Sequence, residues 1–214
     1  MSLKLYFKPG IMEVGLDEAG LGPLIGPVFA AAVYWPEDLT HPLVRDSKTL
    51  NRREKLIAYD FIREEAIGYG IAKIEADEID KINNKQAGIK AMHTAIDKTS
   101  IMPDNIIVDG NYFRFYIDTN GEQVSHTCIV DGDKKYYSIA AASILAKVSH
   151  DREIQSLCDK YPDLEKYELR NNMGYGTKQH CEAIQTYGIT QFHRQTFKRV
   201  REYTNNINIV KAIQ

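Results

Sequence analysis

Four acidic side chains, each beside small or turn-forming residues, carry the chemistry legible in this chain: the adjacent pair Asp17 and Glu18, then Asp109, then Asp133. The pair lies in Val-Gly-Leu-Asp-Glu-Ala-Gly-Leu-Gly-Pro, directly after an apolar run that reads as a strand. Two repelling carboxylates at the end of a buried strand give the sheet nothing. A pair of Mg²⁺ ions would reverse that balance, because hard cations take oxygen ligands and neutralise clustered acids. The chemistry of such a cluster is metal-dependent phosphoryl transfer.

Each acid also has a plainer explanation. No helix follows Asp17 and Glu18 for them to cap, since Gly20, Gly22, Pro23, Gly26 and Pro27 interrupt the next stretch. A loop so patterned brings backbone N–H groups close to a ligand instead. It has neither the Walker nor the dinucleotide-binding spacing. Asp109-Gly110 separates Ile-Ile-Val from Tyr-Phe-Arg-Phe-Tyr-Ile, and spacing alone favours a two-residue hairpin there. Asp133, in Asp-Gly-Asp-Lys-Lys, equally suits an N-cap or an ordinary polar connection. Lys134, Lys135 and Lys147 either meet phosphates or form a solvated helix face.

Other chemistries find little support. The histidines form no cluster, and His180 and His193 are too far apart for a helical pair. Ser47 and Ser143 lack the context of an activated serine, which disfavours covalent catalysis. Tyr175 is framed by glycines in Gly-Tyr-Gly-Thr, where an exposed ring can stack on a base or sugar.

The elements that must position these residues read as follows. Strands are expected at Ile11 to Leu16, Pro27 to Trp35, Ile67 to Ile74, Ile106 to Val108 and Thr127 to Val130. The second barely alternates and should be buried on both faces. Asn51 can cap a helix reaching about Gly68, Asp77 to Thr99 carries one apolar stripe, and a small-residue helix runs from Ser138 to about Cys158. The last stretch, broken by Pro162, Gly174, Gly176 and Gly188, looks helical and irregular. Interleaved strands and helices define an α/β class. The acids lie just past predicted strand ends, where open α/β sheets collect their active groups.

A length of 214 residues fits one domain, with residues from about 160 as a helical C-terminal appendage. Hydrophobic and charged contents of 43% and 26% are those of a globular chain. There is no signal-peptide core and no apolar run of roughly 18 residues, so no membrane partner is expected. Three scattered cysteines argue for a reducing, cytoplasmic setting and against structural zinc. The net charge of −2 divides into −7 for residues 1–133 (14 Lys/Arg, 21 Asp/Glu) and +5 from Lys134 onward (13 and 8). An acidic part and a basic part suit metals meeting a polyanion; chance surface imbalance is the plain alternative.

Taken together, the motifs resemble the type 2 ribonuclease H family, ribonuclease HII. The matching pieces span nearly the whole chain: Gly15-Leu-Asp-Glu-Ala-Gly-Leu-Gly-Pro with Gly26-Pro27, Asp46-Ser47-Lys48 with Leu50, and Val108-Asp109-Gly110-Asn111. Gly132-Asp133, the Ala140-to-Val148 stretch, Asp151-Arg152, Gly174-Tyr-Gly-Thr177 and His193-Arg194 with Phe197 complete the series. The resemblance implies a ribonuclease H-like fold, a central mixed five-stranded sheet flanked by helices with a helical C-terminal part. It implies that Asp17, Glu18, Asp109 and Asp133 are the catalytic and metal-binding quartet, serving two Mg²⁺ or Mn²⁺ ions. The substrate implied is an RNA–DNA hybrid, or a DNA duplex containing ribonucleotides, cut to 3′-hydroxyl and 5′-phosphate ends. Gly20, Leu21 and Gly22 map to the motif that holds the ribose 2′-hydroxyl, and Tyr175 to a residue at the scissile RNA–DNA junction. Ser47, Lys48, Asn111, Ser143 and Lys147 lie in matched motifs and are further expected nucleic-acid contacts.

Two departures stand out. The family usually has Arg where this chain has Leu21, and His-Lys where it has Asn172-Met173. Losing cations that face phosphates weakens binding and its salt dependence. A weakened hybrid-binding paralogue, or an enzyme of altered junction specificity, is therefore the alternative. A junction-resolving or transposase-type nuclease would lack the Ala-Ala-Ser-Ile-Leu-Ala-Lys and Gly-Tyr-Gly-Thr stretches. Ribonuclease HIII would carry an extra N-terminal domain, for which about ten residues before the first strand leave no room. A monomer is expected, and the tail Ile-Val-Lys-Ala-Ile-Gln is too generic to support a replication clamp as partner.

Overall fold

A computed structural model describes residues 3–204. Among these, six strands form one sheet in the order β3-β2-β1-β4-β6-β5. They are β1 (Glu13–Ala19), β2 (Val28–Tyr34), β3 (Gly68–Ile74), β4 (Asn105–Asp109), β5 (Tyr116–Ile117) and β6 (Gln123–Ile129). The five expected strands are present, and β5 adds a two-residue edge that is too short to announce itself in sequence. The helices are α1 (Arg52–Glu65), α2 (Ala76–Ile82), α3 (Asn84–Asp97), α4 (Tyr137–Lys160), α5 (Leu169–Asn172), α6 (Lys178–Tyr187) and α7 (Lys198–Thr204).

The sheet is mixed. β1 runs antiparallel to β2 and parallel to β4, β4 runs parallel to β6, and β6 antiparallel to β5. This arrangement corrects the hairpin expected at Asp109-Gly110. β4 already has β1 on one side and β6 on the other, so no returning strand can pair with it. β1 also runs further than its apolar run suggests. Its pairing with β4 ends at Leu16↔Val108, but β2 carries it on through Asp17↔Ala31, Glu18↔Ala30 and Ala19↔Phe29.

Contacts group the described residues into two compact units, one of residues 3–19, 29–73 and 88–148, the other of residues 20–28, 74–87 and 149–204. In the first, β2 is fully buried as its unbroken apolar sequence requires. The inner face of α4, with Ala140, Ala141, Ile144 and Leu145, shares a core with Val33, Trp35, Ala58 and Ile62. Trp35 stacks on Tyr137 with ring centroids 5.7 Å apart. Asn51 caps α1 as expected, in a reciprocal box with Glu54. In the second unit Leu24, Ile25, Ile154, Leu164, Tyr167 and Ile184 form a separate core.

The single helix expected from Asp77 to Thr99 is broken at Asn83, which adopts φ 69°. The Asn83 side chain accepts from the Gln86 amide at 3.1 Å, so it starts α3 rather than continuing α2. Asp133 does not cap α4; it lies in a short helical turn, Gly132–Lys134, preceded by Asp131 at φ 54°.

Gly15 sets how closely β1 meets α4. A Cβ there would lie 2.5 Å from the Ser138 backbone carbon and 2.6 Å from the Ile139 nitrogen. Gly15→Ala must push helix and strand apart, and is expected to destabilise the protein by about 1–3 kcal/mol. The melting temperature of the variant checks this; an unchanged value contradicts the tight approach.

Candidate active site

The acidic residues converge because of strand direction. β1 and β4 are adjacent and parallel, with Leu16 opposite Val108. Their next residues, Asp17 and Asp109, therefore lie side by side just past the last β1–β4 pair, on strands whose axes are about 4.8 Å apart. Each is still paired with its outer neighbour, Asp17 with Ala31 and Asp109 with Ile129. Gly132 and Asp133 follow the end of β6, the neighbour of β4 on its other side. The Gly132 amide donates to Asp109 Oδ1 at 2.7 Å, tying the two strand ends together.

Burial and repulsion shape the charges. Asp17 is only 7% exposed, and its carboxyl is raised well above the usual range. Desolvation is the largest cause, followed by the Glu18 and Asp109 charges, while hydrogen bonds from Ser143 and the Glu18 amide pull the other way. Glu18 is pushed up to about 7 by burial and then by Asp109. Asp133, 2% exposed, is also raised, first by burial and then by Asp109, with Lys48 opposing. The Lys48 ammonium lies 3.7 Å from Asp133 Oδ2. Asp109 thus acts on the other three acids, and the four form one electrostatic group.

This donor set fits hard divalent cations: anionic oxygens, partly dehydrated and mutually repelling, whose repulsion a cation removes. Among the described residues, however, no three Asp, Glu, His or Cys side chains form a closed metal cage. Asp17 Oδ1 instead accepts from the Glu18 amide at 2.7 Å, and Asp109 Oδ1 from Gly132. A cavity of about 290 Å³ lined by Leu5, Glu13, Tyr34, Trp35 and Asp104 includes none of the four acids.

The expected nucleic-acid contacts in this unit fall into two groups. Ser47 and Ser143 are buried, their hydroxyls 3.2 Å apart, and Ser143 bonds Asp17, so both support the carboxylate from within. Lys48 and Asn111 are exposed and Lys147 is half-buried on α4. Lys134 pairs with Asp131 at 2.7 Å and Lys135 donates to the Val130 carbonyl at 2.6 Å.

Gly20, Leu21, Gly22 and Tyr175 belong to the second unit. Gly20 has φ 87°, and a Cβ on it would meet the His150 ring at 2.5 Å, so no other residue fits. The Tyr175 ring, 42% exposed, stands against Gly22. The backbone of Tyr175 is anchored from behind by a histidine pair that sequence spacing concealed. His180 and His193 are buried, with their Nε2 atoms 3.2 Å apart. The Thr190 amide donates to His193 Nδ1, so His193 carries its proton on Nε2 and donates to His180 Nε2. His180 then donates through Nδ1 to the Tyr175 carbonyl, 3.1 Å away. Every link requires both rings neutral, in keeping with burial lowering both and holding His193 at about 3. The expectation that the histidines form no cluster is corrected here: residues 13 apart in sequence meet through the fold.

The fold is that of the ribonuclease H-like class. The structure of ribonuclease H2 from Pyrococcus horikoshii matches with a TM-score of 0.71 at 25% identity, covering 90% of this chain and 97% of that one. The Archaeoglobus fulgidus chain, described in a PCNA:RNase HII complex, matches at 0.69, 25% identity, 88% and 96% coverage. A Bst-RNase HIII solved with Mn²⁺ shares the fold at 0.67 and 18% identity, over 91% of this chain and 70% of its own.

Sequence narrows the class further. The family model for ribonuclease HII matches residues 14–200. Ribonuclease HII of Christiangramia forsetii is 45% identical over 193 residues, 90% of this chain and 93% of that protein. That of Parabacteroides distasonis is 44% identical over 197 residues, 92% and 95%. The chain belongs to the ribonuclease HII family of endoribonucleases.

The raised acids have a consequence for stability. In the unfolded chain Glu18 ionises near 4.5, in the folded protein near 7. The folded state binds more protons between those values, so the cation-free protein loses stability as pH rises from about 4.5 to 7. Glu18→Gln removes that loss, and at pH 8 in EDTA the variant is expected to be more stable than the parent by about 3 kcal/mol. The difference should vanish near pH 4 and shrink when Mg²⁺ is added. Denaturant unfolding in the three conditions checks it.

Proposed function

We propose that this protein hydrolyses the RNA strand of RNA–DNA hybrids, and ribonucleotides embedded in duplex DNA, leaving 3′-hydroxyl and 5′-phosphate ends. The observation that carries this reading is the electrostatic union of Asp17, Glu18, Asp109 and Asp133 at neighbouring strand ends, in a chain of the ribonuclease HII family. These four side chains, Asp17 at their centre, would hold two divalent ions, Mg²⁺ or Mn²⁺. When bound, the ions supply an acidified water at neutral pH and stabilise the charge that develops on the phosphate and its leaving oxygen.

The chain's own groups do the rest. Ser143, backed by Ser47, orients the Asp17 carboxylate. Lys48 offsets the charge on Asp133 and has an exposed ammonium for a phosphate. The amides of Leu21 and Gly22 take the ribose 2′-hydroxyl, the group that separates RNA from DNA at a given site. The exposed Tyr175 ring packs on the sugar at the RNA–DNA junction, and Asn111 and Lys147 contact the strands. No histidine is required as a base, and His180 and His193 are committed to their buried chain.

Three matched duplexes test the proposal, one with a single ribonucleotide, one with a ribonucleotide tract and one of DNA alone, each with Mg²⁺ or Mn²⁺. Cleavage confined to the ribonucleotide-bearing duplexes is expected; failure to cut either with either ion would overturn it. Asp17→Asn should lower kcat at least roughly a thousandfold, the scale of ion-dependent stabilisation, with an unchanged fold by circular dichroism. Tyr175→Ala should lower cleavage at a single-ribonucleotide junction about tenfold, as expected for one stacking contact. Binding to an all-RNA–DNA hybrid should change less, and equal losses in both assays argue against a junction role.

A further inference from the structure

The motif His193-Arg194 takes no part in the proposed chemistry, yet Arg194 is the largest fully buried side chain among the described residues. Its guanidinium donates to three carbonyls of the glycine-rich loop: from Nε to Gly26 at 2.9 Å, from Nη1 to Leu21 at 3.1 Å and from Nη2 to Gly20 at 2.7 Å. The backbone of the same segment is laced to the loop as well. Arg194 N donates to Leu24 O at 2.8 Å and Gly26 N to Phe192 O at 2.9 Å. Burial brings the guanidinium down to about 10, with Asp80 opposing the shift. Asp80 itself accepts from the amides of Gln195 and Thr196. A cation is thus buried on carbonyls, an arrangement that holds only if those carbonyls must point inward.

Peptide geometry turns that grip into function. The described peptides include no cis bond, and in a trans peptide the N–H points opposite to its C=O. The carbonyls of Gly20 and Leu21 face Arg194, so the N–H groups sharing their peptides, those of Leu21 and Gly22, face away from it. Among the described residues neither amide donates to a protein acceptor. Successive carbonyls of an extended chain alternate sides; here two in a row face one cation, which leaves two adjacent donors on the far side. Asn84 reinforces this by donating to the Leu21 carbonyl at 2.9 Å. The rigid fork of a guanidinium suits several acceptors at once, which an ammonium does not. Charge on the carbonyl side also polarises each peptide and strengthens its N–H as a donor. Because residue 21 is Leu, the loop offers no side-chain donor there, and its discrimination falls to the backbone.

We propose that Arg194, with Asn84, is a positioning residue that aims the Leu21 and Gly22 amides at the ribose hydroxyl and so sets discrimination between RNA and DNA. This rests on the assignment of Gly20 to Gly22 as the ribose contact. The test measures the ratio of affinities for a single-ribonucleotide duplex and the matched all-DNA duplex, in EDTA, where no turnover occurs. Arg194→Lys, which keeps charge but loses the fork, is expected to cut that ratio about tenfold with all-DNA affinity unchanged, the loss of one to two charge-assisted bonds. Asn84→Ala should cut it about twofold and keeps the proposal testable if Arg194→Lys does not fold. Equal loss on both duplexes, or an unchanged ratio in a folded variant, assigns Arg194 a structural role and overturns the proposal. Gly22→Pro, with Gly22→Ala as control, removes one amide donor and tests the ribose contact independently. If Gly22→Pro lowers the ratio while Arg194→Lys does not, only the positioning role fails. If Gly22→Pro leaves it unchanged, the ribose contact itself fails.

Discussion

Two parallel strands side by side, each carrying an aspartate just past their last mutual pair, compel these carboxylates to share a small volume whatever their repulsion. The cost is visible in the protonation of Asp17, Glu18 and Asp133, all raised by burial first and by acidic neighbours second. The rest of the first unit maintains that constraint. Gly15 lets β1 and the start of α4 approach until no Cβ could fit, and the alanines of α4 keep the helix close behind the sheet. From that helix Ser143 reaches the Asp17 carboxylate. The divalent ions of the proposed function would offset that cost. The silent hybrid-binding paralogue fits poorly with that, since any of the four acids replaced by an apolar residue would relieve the strain.

The second unit solves a different problem, holding irregular backbone in one shape without exposing charge. It does so with buried polar groups satisfied in closed sets: Arg194 on three carbonyls, and two neutral histidines between Thr190 and Tyr175. Both sets end on backbone atoms of segments expected to touch nucleic acid. Buried networks of this kind specify geometry more than they add stability, because each member is costly if its partner moves.

The α/β class and the five main strands were legible because each depends on local pattern, apolar runs and a capping asparagine. The Asp17-Glu18 pair stood out in the same way, whereas Asp109 and Asp133 joined it only through the resemblance to the family. What escaped depends on pairing across the chain. Asp109-Gly110 has the local chemistry of a hairpin turn, and only the occupation of both edges of β4 by β1 and β6 rules the hairpin out. The break at Asn83 was hidden by an apolar stripe that continues through it. The His180–His193 contact and the grip of Arg194 on residues 20 to 26 join positions too distant in sequence for any period to show. Ser47 and Ser143 were expected to contact nucleic acid, but both are buried and their hydroxyls face each other.

The two departures from the family pattern gain a structural meaning. Met173 sits at φ 50° with its side chain against the core of Leu24, Leu164 and Leu169, and its sulfur takes a bond from Gln155. Asn172 spends its amide within the turn, donating to the Tyr167 carbonyl and accepting from the Gly174 amide. These residues brace the Gly-Tyr-Gly turn from inside, where a pair of cations would have offered charge to a phosphate. The Leu21 side chain is likewise partly buried and offers no charge. On the function proposed above, binding would lean less on counterion release and more on oriented backbone donors and the Tyr175 ring. Such contacts would read the sugar and the junction rather than the density of phosphates, so loss of cations at these places would lower overall affinity without removing the means of telling RNA from DNA.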